Sequence, residues 1–368
     1  VRVRKGIDKI KGLLDELSLD VLVIVQRANL EYITRFDGSL IFILTRLGDS
    51  VVMVPRLDYE RALSVLGNEA NIIAFTTYEV PPRRADERLF VSKSIGDYLL
   101  RELQLKPNNI VGIDDPSGPV GKELTSTGVK VTDISNNILR LREIKDEEEV
   151  NYVRRATEIT DEVLNEIQSM GLEGRRENEI AGLIYKGFLE RGAQDAAFKP
   201  IVASGPNGAY PHHNPTGRVI GRGEAVTIDL GARFNYYCTD ITRTFGVGNL
   251  SKELRDMALA VLESQKKAIN TIKPGVKASE VDLVARRVLE EYGYGQYYIH
   301  STGHGVGVEI HERPALSPNS NDALVKGHVV TVEPGVYIKG VGGVRIEDTL
   351  VVTESGVEVL SKFSRDLF

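Results

Sequence analysis

The feature that most constrains this chain is an internal echo. Gly223-Glu224-Ala225-Val226-Thr227-Ile228-Asp229-Leu230-Gly231 recurs as Gly327-His328-Val329-Val330-Thr331-Val332-Glu333-Pro334-Gly335, with Glu333 in the place of Asp229 at an offset of 104 (333 − 229). The segment that follows echoes too, Asp240-Ile241-Thr242 being answered by Glu347-Asp348-Thr349 at an offset of 107 (347 − 240). Such a repeat means one supersecondary unit used twice. Two helices precede the strands in each copy. In the first, Val150, Val153, Val163 and Ile167 follow the acidic run Lys145-Asp146-Glu147-Glu148-Glu149, and Ile180, Leu183, Ile184 and Phe188 end at Gly192. In the second, Leu254, Met257, Ala258, Val261 and Leu262 mark one helix, and Val281, Val284, Ala285, Val288, Leu289 and Tyr292, stopped at Gly293, mark the other. A pseudo-twofold α+β domain is expected, with Asp229, Asp240, Glu333 and Glu347 converging on its centre. The run into Asp229 reads as one strand and residues 236–247 as the next, so that a short hairpin brings Asp229 and Asp240 together.

Four converging carboxylates left uncompensated would each cost several kcal/mol, so two divalent cations are expected among them. His304, flanked by Gly303 and Gly305, offers an imidazole that neighbouring side chains do not obstruct. Four carboxylates and one His form a mostly hard-oxygen set, suited to Mn²⁺ or Co²⁺, with Zn²⁺ or Fe²⁺ as alternatives.

Upstream, helical and strand patterns alternate. Ile7, Ile10, Leu13, Leu14 and Leu17 have helical spacing, and residues 21–25, 40–45, 51–54, 72–75 and 110–113 read as strands, with a helix on Ile95, Tyr98, Leu99 and Leu103. This describes a compact α/β domain over residues 1–141, followed by the repeat domain over 142–368. The length of 368 residues and 42% hydrophobic content suit two domains. A formal charge of −6 without a basic run excludes nucleic acid as partner, and no apolar stretch reaches membrane-span length. A single cysteine, Cys238, and the start Val1-Arg2-Val3-Arg4, which lacks an apolar leader core, give cytoplasm as the expected compartment. Pro81-Pro82-Arg83-Arg84 reads as a solvated loop.

The ordered set Thr-Ile-Asp229-Leu-Gly, Thr-Asp240-Ile-Thr-Arg-Thr, Gly-His304-Gly-Val-Gly, Val-Glu333-Pro-Gly and Val-Arg-Ile-Glu347-Asp-Thr resembles the pita-bread metallopeptidases. That family includes methionine aminopeptidase, aminopeptidase P, Xaa-Pro dipeptidase (prolidase) and creatinase. The resemblance runs from about residue 142 to the C-terminus, and the α/β domain is similar to the creatinase-like accessory domain of prolidase and aminopeptidase P. It implies Asp240 and Glu347 as bridging ligands, Asp229 as the two-oxygen ligand of one metal, and His304 and Glu333 as ligands of the other. Glu333 is then also the proton shuttle between water and leaving nitrogen. His311, after the run Val308-Glu309-Ile310 of strand-like character, resembles the His that steadies the oxyanion; His212 stands where the family places a substrate-contacting His. His213 stays open as an alternative to His212, the choice resting on spacing from Ser204-Gly205. His300 is expected to support the site or the core, and His328 to occupy an ordinary strand position.

Strand alternation turns Cys238 toward the face of Asp240 and Arg345 toward that of Glu347. Space-filling is the expectation for Cys238; orientation of a ligand and contact with substrate is that for Arg345. The implied activity is metal-dependent hydrolysis of Xaa-Pro dipeptides, with Xaa-Pro aminopeptidase action on longer proline-containing peptides as the alternative and a metal-free binding protein as the rival. A homodimer is expected.

Overall fold

The computed structural model describes residues 2–81, 83–366 and 368. Val1, in the supposed leader-free start, and Pro82, in the arginine-bearing loop, lie outside the described residues. The chain divides into two compact units, Val1–Arg142 and Glu143–Phe368.

The first unit is a seven-stranded mixed sheet in the order Leu89–Val91, Asn71–Thr76, Ser50–Pro55, Ile41–Thr45, Val21–Ile24, Ile110–Ile113, Lys130–Asp133. Ile41–Thr45 runs antiparallel to both of its neighbours and the remaining pairs are parallel. The central strands are apolar throughout because helices cover them, Leu22, Val23 and Ile24 being fully buried. Like Tyr59–Leu66, Pro119–Ser126 and Ser135–Glu143, helix Arg27–Thr34 has no counterpart in the sequence reading. Its entry is held by the buried Asp114, which accepts from Val25 N (2.8 Å), Gln26 N (3.1 Å) and Asn29 Nδ2 (2.8 Å).

The second unit has the doubled α+β architecture expected of it. Helices Glu147–Met170 and Glu177–Glu190 precede the first strands, and Lys252–Thr271 and Ala278–Glu291 the second. The acidic run does open a helix: Asp146 accepts from Glu149 N (2.9 Å) while Glu149 accepts from Asp146 N (2.8 Å), a reciprocal cap. Strands Ile201–Ser204, Ala225–Leu230 and Ile241–Gly246 form the first antiparallel sheet. Gly303–Gly305, Val329–Val332 and Asp348–Val352 are their equivalents in a five-stranded sheet completed by Glu312–Leu316 and Val357–Val359. Each half has its own core, Val163, Ile180, Ile228 and Ile241 in one, Met257, Val281, Val330 and Leu350 in the other.

Two strand expectations need correction. Residues 236–247 are not one strand: Ala232–Phe234 pairs with Tyr237–Cys238 around Asn235 and Tyr236, both at positive φ (51° and 72°), and pairing with Ala225–Leu230 resumes only at Ile241. The interruption lies at Thr239-Asp240, where Asp240 exchanges two hydrogen bonds with the Thr349 hydroxyl of the other half, its N–H donating (3.1 Å) and its carbonyl accepting (2.7 Å). Alternation therefore does not carry from Cys238 to Asp240. The buried Cys238 thiol donates to the Val308 carbonyl (3.6 Å). Likewise Val308-Glu309-Ile310 is a bend, and the strand begins at Glu312. Register there jumps from His304↔Ala315 to Gly305↔Glu312, since Pro314 has no N–H to continue the ladder. His328 sits just before its strand, making an isolated bridge to Ile144.

Candidate active site

Asp229 lies near the end of Ala225–Leu230, opposite Thr242; Glu333 directly follows Val329–Val332; and Glu347 sits between Gly342–Arg345 and Asp348–Val352. With Asp240 at its break and His304 within Gly303–Gly305, the five residues line a single cavity of about 690 Å³. Close approach of main chain makes this geometry possible. A Cβ at Gly303 would stand 2.0 Å from the Thr331 carbonyl oxygen, and one at Gly231 would stand 1.8 Å from that of Thr239.

The His304 Nε2 is 3.4 Å from Glu333 Oε1 and 3.6 Å from Asp240 Oδ2, and ligating atoms of Asp240, His304 and Glu347 lie within 4.8 Å of one another. The Nδ1 of His304 is 3.0 Å from the Gly305 carbonyl, which can only accept, so Nδ1 carries the proton and Nε2 turns its lone pair to the acids. Burial pulls the His304 pKa down to about 4, which keeps the ring neutral, the form that ligates.

Burial also raises Asp240, Glu347 and Glu333. The Asp240 carboxyl is held well above its usual range by desolvation and by Glu347, Asp229 and Glu333; that of Glu347 by desolvation, Glu333 and Asp229. Desolvation lifts Glu333 to about 8, against the pull of Arg345. Three buried carboxylate oxygens, Asp229 Oδ1, Asp240 Oδ1 and Glu347 Oε1, have no hydrogen-bond partner. Unsatisfied buried oxygens of this kind are rare, and here they point into one cavity with a neutral imidazole. The residues therefore fit divalent cations.

Arg345 supplies the local counter-charge. Its Nη2 donates to Asp229 Oδ2 (2.8 Å), its Nη1 to the Tyr337 hydroxyl (2.8 Å) and its Nε to Thr242 Oγ1 (3.1 Å), and Thr242 Oγ1 in turn donates to Glu347 Oε2 (2.7 Å). Arg345 thus touches Asp229 directly and reaches Glu347 only through Thr242. The sequence reading gives no role to Thr242 or Tyr337; the hairpin register, in which Thr242 is paired with Asp229, is the signal that marks the first of them. His300 lines the cavity with Nε2 2.9 Å from the Tyr337 hydroxyl.

The His311 ring stands edge-on to that of His304, centroids 4.4 Å apart, and also lines the cavity. Its loop is tied down by the next residue, Glu312, which is paired with buried Lys145 (2.9 Å). His212 reaches the cavity wall, whereas His213 turns away to the buried Glu177 (2.9 Å).

Over residues 151–354 the chain matches the model of metallopeptidase family M24, and over residues 7–144 that of the creatinase/prolidase N-terminal domain. It is 36% identical to the Xaa-Pro dipeptidase of Pyrococcus furiosus over 373 residues, covering 99% of this chain and 100% of that protein. The solved prolidase from Pyrococcus furiosus is similar with a TM-score of 0.82 at 35% identity, over 96% of this chain and 99% of that one. An X-Pro aminopeptidase structure from Thermotoga maritima reaches 0.86 at 30% identity over 98% of each chain. Both units and the five-residue centre thus agree in one assignment: the chain belongs to metallopeptidase family M24, with a creatinase/prolidase N-terminal domain.

Proposed function

We propose that this metallopeptidase is an Xaa-Pro dipeptidase that cleaves the bond preceding proline. The observation that carries the reading is the buried cluster of acids with three unpartnered oxygens beside a neutral His304, in a chain similar along its whole length to an Xaa-Pro dipeptidase. Asp229, Asp240, His304, Glu333 and Glu347 would hold two divalent ions, with Asp240 and Glu347 bridging; Mn²⁺ or Co²⁺ suits the oxygen-rich set, Zn²⁺ or Fe²⁺ following. Bound there, the cations supply Lewis-acid activation of water and of the scissile carbonyl.

The chain's own groups do the rest. Glu333 takes a proton from the attacking water and delivers it to the leaving proline nitrogen. His311 donates to the oxyanion that develops on the carbonyl oxygen. His212 contacts the substrate from the wall. Arg345 commits three of its five N–H donors to Asp229, Tyr337 and Thr242 and so fixes the acids, and from its place in the cavity lining it also contacts the substrate. The likeness to an X-Pro aminopeptidase supports a second reading, action on longer peptides.

A cytoplasmic homodimer belongs to the same proposal. A lone buried thiol suits a reducing compartment, and among the described residues no helix is long and apolar enough to cross a membrane. The deciding experiment compares kcat/KM for Xaa-Pro with that for Xaa-Pro-Yaa on metal-loaded protein. Faster turnover of the tripeptide overturns the dipeptidase reading in favour of the second one, and turnover of neither sinks both.

A further inference from the structure

Helix Glu177–Glu190 begins with an acid that is completely buried yet makes no part of the carboxylate cluster. On one side, Glu177 Oε1 accepts from Ser204 N (2.9 Å), Ser204 Oγ (2.7 Å) and Asn207 Nδ2 (2.9 Å). On the other, Oε2 accepts from His213 Nε2 (2.9 Å), Thr216 N (3.0 Å) and Thr216 Oγ1 (2.7 Å). Six donors on two oxygens saturate a carboxylate, which has about four lone-pair sites, and leave no room for a proton. Burial opposes the charge, but bonds from Asn207, His213, Ser204 and Thr216 outweigh it and hold the carboxyl at about 2.

The donors come from both ends of one loop, residues 204–216, whose middle supplies Tyr210, Pro211 and His212 to the cavity wall. The start of the loop is seated as well. Its turn Gly205–Ala209 lies so close to the hairpin carrying Arg345 that a Cβ at Gly343 would be 1.9 Å from the Gly208 carbonyl oxygen. The helix below is immobilised by Ile180, Ile184 and Phe188, all fully buried.

The other half repeats the device. Asp282, buried on helix Ala278–Glu291, accepts from Thr302 N (3.0 Å) and Thr302 Oγ1 (2.9 Å), as Glu177 does from Ser204. It is also bonded to Arg286 (2.7 Å), which donates to the carbonyls of Tyr298 and His300, and so fixes residues 299–301 of the cavity wall.

We infer that Glu177 is a positioning residue for substrate: its carboxylate ties both ends of the 204–216 loop to a rigid helix, so that His212 faces the peptide and His213 is held as one of the ties. The inference rests on the cavity being the Xaa-Pro site, and it acts through His212, not through the acids. A buried acid serving stability alone would instead affect only the unfolding temperature.

The test is Glu177→Gln, which keeps the volume but turns an amide NH₂ toward groups that are themselves donors. Expected are full metal content, amide exchange at Ser204 and Thr216 faster by about tenfold or more, and a KM for Xaa-Pro dipeptide raised about tenfold. Because the effect runs through His212, the same substitution in a His212→Ala background should change kcat/KM by less than about twofold. Unchanged exchange overturns the proposal, and so does an undiminished loss in the His212→Ala background. Should the parent cleave no Xaa-Pro peptide, the functional reading falls while exchange still decides whether Glu177 holds the loop. If Glu177→Gln does not fold, Glu177→Asp, one methylene short of spanning both sets of donors, is measured in the same way.

Discussion

Loading the acid cluster with cations should release protons, and the structure sets how many. In the metal-free protein burial holds Glu333 at about 8, so near pH 7 this carboxyl is about 0.9 protonated. Asp240 and Glu347, raised well above the ordinary range, add up to about one proton each, giving roughly one to three per protein. His304, at about 4, is already neutral and contributes none. Stability follows with a definite sign. Carboxyls with raised folded-state values stabilise the fold fully below their unfolded values, and that contribution is lost as pH rises through the folded ones. For Glu333 the window runs from the ordinary 4.5 to about 8, so metal-free protein should lose thermal stability across it while metal-loaded protein should not. The assay is titration calorimetry of chelator-stripped protein with Mn²⁺, repeated near pH 7 in buffers of different ionisation enthalpy. A slope of zero against ionisation enthalpy would mean that the acids are ionised before metal arrives, and the argument from desolvated, mutually repelling carboxylates would fail.

Two further outcomes separate the roles proposed for the centre. Asp240→Ala should strip metal and activity more completely than Asp229→Ala, because a bridging carboxylate serves both ions; metal analysis beside kcat/KM checks this, and the reverse order refutes the bridge. His311→Ala should keep its metal and lose about a hundredfold in turnover, on the order of 3 kcal/mol, as expected for a donor to the oxyanion. His304→Ala should lose both metal and turnover, and a His311→Ala protein purified without metal would contradict the division between these two rings.

What could be read from the sequence is the part of the molecule that is repeated. Asp229, Asp240, Glu333 and Glu347 stand in sequence contexts duplicated 104 and 107 residues apart, because two halves that meet at one centre present their acids from equivalent positions. Features that depend on contacts across large separations were hidden. Nothing local marks the break at Thr239-Asp240; the Thr349 hydroxyl from the other half makes it. Helix Arg27–Thr34 escaped because its buried face includes Asn29, Glu31 and Thr34, and Asp114, which holds the chain just before it, follows a distant strand. Val308-Glu309-Ile310 has strand composition, but Glu309 N–H is drawn to Glu312 (3.1 Å) and the backbone bends.

The histidine doublet shows the same limit at the site itself. His212 and His213 share their local context, and what turns one to the wall and the other inward is Glu177, a residue 36 positions before His213. Duplication explains the acids, of which each half contributes an equivalent pair. It does not explain His304, His311 and the 204–216 loop, which each arise in one half only, since a peptide bond is directional and its two ends must meet different groups. A symmetric framework can therefore be inferred from repetition, whereas the asymmetric part of the cavity wall is set by buried carboxylates acting on loops far away in sequence.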